Sequence, residues 1–140
     1  MSKLVTLVKE PIFHPSEPRH FMVLNALSHS VRAEFQGEIV AISDQVIRLQ
    51  EVGCQVYAPV VYFPQDAFIH GELISQNKLI SCTLKGTGEY FDLVVNGNVI
   101  KNAAWSYTRT HVFDHRIHQI EGYVAFDTSL IQITELTVKK

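Results

Sequence analysis

The hydrophobic residues of this chain recur at every second position from Val31 onward. Val31, Ala33 and Phe35 alternate with charged neighbours. A period of two places successive side chains on opposite faces of a β-strand. A turn at residues 37–38 then leads to a second strand at 39–42. Similar runs predict strands at residues 46–49, 55–63, 79–84, 90–95, 99–107, 119–126 and 130–138.

Turn residues separate these runs. Asn96-Gly97 is the strongest hairpin signal, because a type I′ turn needs positive φ at both central residues. Pro59 lacks the amide of a central ladder, so residues 55–63 are predicted to form an edge strand or to carry a bulge. Residues 64–67 favour one short helical turn. No segment sustains a helical period, which predicts an all-β domain of short antiparallel strands: a sandwich, a barrel or a tent of sheets.

The first thirty residues lack the alternation. Prolines between positions 11 and 18 interrupt any regular element, so residues 1–30 are predicted to be an extended lead-in. Within it, residues 21–27 are apolar enough to pack on the domain as a short strand or helical turn. A single β domain is expected at residues 31–140.

Composition narrows the function classes. The chain has 140 residues and a net charge of −2, so it lacks the positive charge behind most nucleic-acid binding. No run reaches the ~18 apolar residues of a membrane span. Two cysteines, Cys54 and Cys82, are too few for a disulfide framework or a four-thiolate zinc site. We therefore expect a cytoplasmic protein with no cofactor, no metal and no nucleic-acid or membrane partner.

A lysine at a strand end is the first candidate for chemistry. Lys85 is followed by Gly86 and Gly88, an arrangement that can present an ammonium and free amides to an anion. The alternative is an ordinary turn with a solvated lysine. Cys82 precedes Lys85 by three residues, so a regular strand would place the two side chains on opposite faces. Cys82 is accordingly predicted to be a core residue.

Aromatic residues near this turn are the second candidate. Trp105 and Tyr107 are two apart, so a strand places both rings on one face. Tyr90 lies across the predicted hairpin and can join them. An aromatic wall of this kind stacks planar ligands or holds cations. The alternative is that Trp105 is simply the centre of the core.

Histidines and carboxylates give weaker signals. His111, His115 and His118 would share one face of a helix, as metal ligands can, but no carboxylate or thiolate completes the pattern. We expect them on a polar loop. Asp66 falls near the start of the predicted helical turn, where an acidic side chain is favourable without any catalytic role.

Four ordered motifs resemble a known family, the domain-of-unknown-function family 427, which is also catalogued as a nucleotidyltransferase-type family. The motifs are Tyr62-Phe-Pro64-x-Asp66, Cys82-x-x-Lys85-Gly86-x-x-x-Tyr90, Ala104-Trp105-Ser-Tyr107 and Ile120-x-Gly122-Tyr-Val-Ala-Phe126. The resemblance covers roughly residues 31–136. It implies a β-tent, with two sheets meeting at an angle, and a ligand site at the matching residues: Tyr62, Asp66, Cys82, Lys85, Gly86, Tyr90, Trp105 and Tyr107.

The nucleotidyltransferase label receives little support from the residues. That chemistry usually needs paired carboxylates for magnesium and a glycine–serine phosphate loop, and neither is visible in the sequence. The chain also departs from the family pattern at Thr83 and Leu84, where proline and an aromatic residue are usual. A polar loop expected at residues 108–116 replaces the acidic, proline-containing loop that is usual beside the expected site. A ligand preference unlike that of typical members is therefore expected.

Three functions follow as hypotheses. The first is binding of a small anionic or planar ligand by Lys85, the glycine backbone and the aromatic wall. The second is an enzyme acting on a nucleotide or another phosphorylated molecule, which would require burial to lower the pKa of Lys85. The third is a protein-interaction module in which the edge strand at 55–63 pairs with a partner or with a second copy of the chain.

Overall fold

Strands dominate the computed structural model, which describes residues 11–136, and the all-β class is confirmed. In chain order the strands are β1 Ile12–His14, β2 Glu17–Ala26, β3 Ser30–Phe35, β4 Glu38–Ser43, β5 Ile47–Val52, β6 Val60–Tyr62, β7 Glu72–Cys82, β8 Gly86–Val95, β9 Asn98–Thr110, β10 Val124–Phe126 and β11 Gln132–Leu136. Two 3-10 helices, Gln65–Ala67 and His115–Ile120, complete the described elements. Neither is long or apolar enough to cross a membrane.

The strands form three antiparallel sheets rather than the two expected. The first sheet has the order β1-β2-β5-β6, the long sheet β10-β9-β8-β7, and the third sheet β11-β3-β4. The additional sheet arises because the segment interpreted as a lead-in contains β1 and β2. Residues Phe21 to Ala26 of β2 pair with β5, and Met22 is fully buried. Pro18 lies near the start of β2, where a proline is tolerated.

The long sheet is the centre of the packing. At one end, Leu93, Val95 and Ile100 pack with the third sheet in one hydrophobic cluster. At the other end, Leu84 and Tyr107 pack with the first sheet in a second cluster. The first and third sheets thus share the long sheet as a common support. The end that faces the first sheet also carries the predicted site residues.

Two local expectations are confirmed. Asn96 and Gly97 have φ values of 50° and 80°, which are the positive values a type I′ turn requires. A 3-10 helix also begins at Gln65, within the predicted helical turn. The N–H of Ala67 donates to Pro64 O at 3.0 Å and closes that turn.

Other boundaries are corrected. The strand expected at residues 55–63 is reduced to Val60–Tyr62, because Pro59 delays pairing and the preceding residues form a loop. β6 is nevertheless at the edge of its sheet, as the proline indicates.

The polar loop expected at 108–116 and the strand expected at 119–126 are also wrong in part. β9 continues to Thr110, and His115–Ile120 is a 3-10 helix whose apolar residues are buried. The last strand is predicted at residues 130–138, and the structure has β11 at Gln132–Leu136. Residues 137 and 138 of that prediction lie outside the described residues.

We expect Gly88→Ala to destabilise the protein severely, because β8 and β9 approach each other closely there. A Cβ at Gly88 would clash with the carbonyl oxygen of Ser106, a backbone atom that cannot turn away. Such overpacking costs about 3 kcal/mol or more. The matched control is Gly97→Ala, where nothing lies within 4 Å and only the positive φ costs about 1 kcal/mol. Urea unfolding of both variants measures the loss of unfolding free energy. Equal losses in the two variants would contradict the close approach of β8 and β9 at Gly88.

Candidate functional site

A cavity of about 370 Å³ lies between the first sheet and the long sheet. Trp105 and Tyr107 are two positions apart on β9, so they share one face of the strand, as predicted. Tyr90 on β8 pairs with Trp105 in the register and adds a third ring. We call this space the aromatic cavity. It is lined by Leu49, Glu51, Tyr57, Ala58, Val60, Tyr62, Ile80, Lys85, Tyr90, Asn102, Trp105, Tyr107 and Asp127.

The first sheet closes the aromatic cavity from the other side. Tyr62 lies on β6, is only 1% exposed, and accepts a hydrogen bond from Trp105 Nε1 at 3.4 Å. Tyr57, in the loop before β6, is 39% exposed and stands at the rim. Of the eight residues predicted for the site, the structure brings five to the cavity wall. These are Tyr62, Lys85, Tyr90, Trp105 and Tyr107.

The three other predicted residues lie outside the wall of this cavity. Asp66 is exposed in the first turn of the 3-10 helix Gln65–Ala67. Gly86 has a φ of 138°, and a Cβ there would clash with the carbonyl oxygen of Arg109. Glycine is therefore required at the start of β8 by the close approach of β9. Cys82 does not line the cavity but contacts Lys85, which does.

Cys82 and Lys85 are neighbours, and the prediction that they face opposite sides is wrong. β7 ends at Cys82 and β8 begins at Gly86, so the residues between them form a tight turn. Alternation applies only within a regular strand. In the turn, the backbone N–H of Lys85 donates to Cys82 Sγ at 3.3 Å, and Lys85 Nζ lies 3.5 Å from the same sulfur.

A buried ion pair forms the polar part of the cavity wall. Lys85 Nζ lies 2.6 Å from Glu51 Oε1, and the two side chains are 10% and 15% exposed. The other carboxylate oxygen, Oε2, is 2.7 Å from His20 Nε2. Glu51 comes from β5 and Lys85 from the turn before β8, so the pair joins the two sheets. The ammonium also lies over the ring of Tyr107, 5.6 Å from its centroid.

The ion pair keeps both of its members charged. Burial opposes the ammonium of Lys85, but the neighbouring Cys82 and Glu51 outweigh it and raise the pKa of Lys85. Burial likewise opposes the carboxylate of Glu51, yet Lys85 and then His20 lower the pKa of Glu51 overall. A nucleophilic amine needs a lowered pKa. The structure therefore holds Lys85 as a charged hydrogen-bond donor.

The two buried tyrosines of the cavity remain protonated far above neutral pH. Burial raises the pKa of Tyr62 to about 12. Burial also raises the pKa of Tyr107, although the nearby charge of Lys85 acts in the opposite direction. Both phenols therefore keep their O–H group at any physiological pH.

The histidines of residues 111–118 make separate contacts. His111 Nε2 lies 2.8 Å from the carbonyl oxygen of Cys82, and His118 Nδ1 lies 2.5 Å from Thr110 Oγ1. Within residues 11–136, no group of three or more histidine, cysteine or carboxylate side chains is placed to hold a metal ion.

Sequence reasoning missed the other polar residues of the cavity. Glu51 pairs with Lys85 across 34 positions, and no local pattern signals that contact. Tyr57 was treated as part of a strand, whereas it belongs to a loop. Asn102 has a φ of 53° and its backbone N–H donates to buried Asp92 Oδ1 at 2.8 Å. The positive φ of Asn102 interrupts β9 just before Trp105 and Tyr107.

The fold and this cavity define a small antiparallel β domain with an aromatic-lined cavity between two of its sheets. More particularly, the chain belongs to the family described as Domain of unknown function (DUF427), whose family model matches residues 23–137. The resemblance drawn from the four sequence motifs is thereby confirmed. A comparison with curated proteins gave no significant match.

We expect Glu51→Gln to destabilise the protein by about 3 kcal/mol at neutral pH, because it leaves the buried ammonium of Lys85 without its counter-charge. The double variant Glu51→Gln/Lys85→Met should recover much of that loss, since it removes both buried charges. Urea unfolding provides the measurement. Additive losses in the double variant would show that the two side chains do not interact.

The pH dependence of the same variant has a defined sign. The folded-state pKa of Glu51 is lowered, so its contribution is fully present above the unfolded pKa of about 4.3. It is lost as the pH falls through the folded-state value. The difference in unfolding free energy between wild type and Glu51→Gln should therefore shrink below about pH 4. A difference that stays constant into acid would contradict this assignment.

Proposed function

We propose that this domain binds a small planar molecule in the aromatic cavity, stacked on Trp105. The observation that carries the proposal is the cavity itself, where five aromatic residues surround a single ion pair. Its volume of about 370 Å³ falls in the range of small-molecule sites. Trp105 is only partly buried and lines the cavity, so its ring can contact a ligand there.

The charge of Lys85 favours a planar ligand over a phosphate. A lysine that binds phosphate offers an unpaired ammonium, whereas Glu51 Oε1 already lies 2.6 Å from Lys85 Nζ. A polyanion placed at the ammonium would be repelled by the neighbouring carboxylate of Glu51. The same pairing weighs against the nucleotide-enzyme hypothesis, because it raises rather than lowers the pKa of Lys85.

The sheet-edge hypothesis has less support than the cavity. β6 contains only three residues, and Phe63 directly after it exchanges two backbone hydrogen bonds with Val124 of β10, both 2.8 Å. That pairing removes part of the edge that a partner strand would need.

The net charge of −2 and the two free cysteines support a cytoplasmic location without a nucleic-acid partner, which we include in the proposal.

Trp105 is the single tryptophan of the chain, so its fluorescence reports directly on the cavity. We expect planar compounds such as nucleobases or nicotinamide to change this fluorescence along a saturable curve. A ligand at about 100 times its Kd should also add roughly 2.7 kcal/mol to the unfolding free energy, which raises Tm by several degrees. Nucleoside triphosphates should be no better than the bases they contain.

Paired variants test the location of binding. Trp105→Leu should abolish the increase in Tm that a bound compound gives. Phe13→Leu is the matched control, because Phe13 is a half-exposed ring on β1 at the opposite edge of the first sheet. Retention of the Tm increase in Trp105→Leu would place the compound elsewhere and refute the proposal.

A further inference from the structure

Three side chains at the ion-pair end of the aromatic cavity each keep a hydrogen-bond donor that has no acceptor among residues 11–136. The ammonium of Lys85 has three N–H groups, of which Glu51 and Cys82 Sγ engage two. The hydroxyl of Tyr62 accepts from Trp105, which leaves its own O–H without an acceptor among residues 11–136. The hydroxyl of Tyr107 has no hydrogen-bond partner in that part of the chain.

The residues that carry these donors are largely buried. Tyr62 is 1% exposed, and Lys85 and Tyr107 are each 8% exposed. All three line the same cavity. A ligand that brings an acceptor atom to this end would therefore gain from more than one donor.

The carboxylate at the ion-pair end of the cavity is already engaged. Glu51 directs one oxygen to Lys85 and the other to His20. At the other end of the cavity, Asp127 Oδ1 accepts from the N–H and the hydroxyl of Ser129. A ligand rich in donors would find both carboxylate oxygens at the ion-pair end occupied.

A cationic ligand is also disfavoured there. Cations bind aromatic rings through the negative face of the π-system. Lys85 Nζ already lies over Tyr107, 5.6 Å from the ring centroid, so the protein supplies its own cation at this ring. A second positive charge would be repelled by the first, and the carboxylate of Glu51 is committed to Lys85 at 2.6 Å.

We propose that the ligand is a planar carbonyl or carboxylate compound whose oxygen accepts hydrogen bonds from Lys85 and from the hydroxyls of Tyr62 and Tyr107. This inference rests on the proposed function, because it assigns the chemical class of the molecule bound beside Trp105. The planar body lies against Trp105 and the oxygen lies at the ion pair. Glu51 offsets the charge of Lys85, so a neutral carbonyl suits the site as well as a carboxylate.

Four probes with one common ring test this assignment: benzamide, benzoate, benzylamine and toluene. Binding is followed by the fluorescence of Trp105. Benzamide and benzoate should bind at least tenfold more tightly than toluene, and benzylamine should bind no better than toluene. Tyr107→Phe should weaken benzamide about threefold to tenfold, the effect of one hydrogen bond, and leave toluene unchanged. Tyr123→Phe is the matched control, because Tyr123 packs in the same hydrophobic cluster but does not line the cavity.

The contribution of Lys85 is measured in a background that folds. Lys85→Met alone leaves the carboxylate of Glu51 buried without the ammonium of Lys85, so the double variant Glu51→Gln/Lys85→Met is used as well. It should lose tenfold or more in affinity for benzamide and keep its affinity for toluene. Lys101→Met, at an exposed lysine on β9, is the control for loss of a positive charge.

The outcomes separate the inference from the proposed function. Equal binding of benzamide and toluene, or tighter binding of benzylamine, would overturn the carbonyl assignment while leaving a planar-ligand site. Benzamide binding that is unaffected in Tyr107→Phe and in the double variant would overturn it too. Failure of all four probes and of the nucleobases to change Trp105 fluorescence would overturn the proposed function, and the inference with it.

Discussion

The ion pair between Glu51 and Lys85 is the interaction on which the site depends. The two charges come from different sheets and meet at 2.6 Å with little exposure to water. Each charge alone would be costly to bury, so each requires the other. The hydrogen bond of His20 to the second oxygen of Glu51 fixes the carboxylate further. Because the pair joins β5 to the turn before β8, it also sets the spacing of the sheets where the aromatic cavity lies.

The same pair determines the chemistry that the cavity offers. With its charge offset, Lys85 no longer attracts a polyanion as a free lysine would, but it remains a donor. The buried phenols of Tyr62 and Tyr107 add two further O–H groups nearby, and Trp105 supplies a planar apolar surface. The family to which the chain belongs is described only as a domain of unknown function. From the uncommitted donors of Lys85, Tyr62 and Tyr107 we propose that a planar compound with an accepting oxygen binds in this cavity.

Local patterns predicted those features that depend on neighbours in sequence. The parity of Trp105 and Tyr107 placed both rings on one face, and Asn96-Gly97 marked the hairpin that positions Tyr90. The contacts that give the cavity its character are non-local. Glu51 lies 34 positions from Lys85 in the sequence. It belongs to β5, and the sequence pattern did not predict that β5 pairs with β2. The prediction for Cys82 is wrong for a related reason, because the alternation of a strand does not extend into the turn that follows β7.

The most direct test is a crystal structure of the protein with benzamide bound. We expect the ring to lie against Trp105, with the amide oxygen within hydrogen-bonding distance of Lys85 Nζ and of a tyrosine hydroxyl. Glu51 should remain paired with Lys85 in that complex. Benzamide bound outside the cavity, or Lys85 turned to solvent with Glu51 left unpaired, would contradict the account.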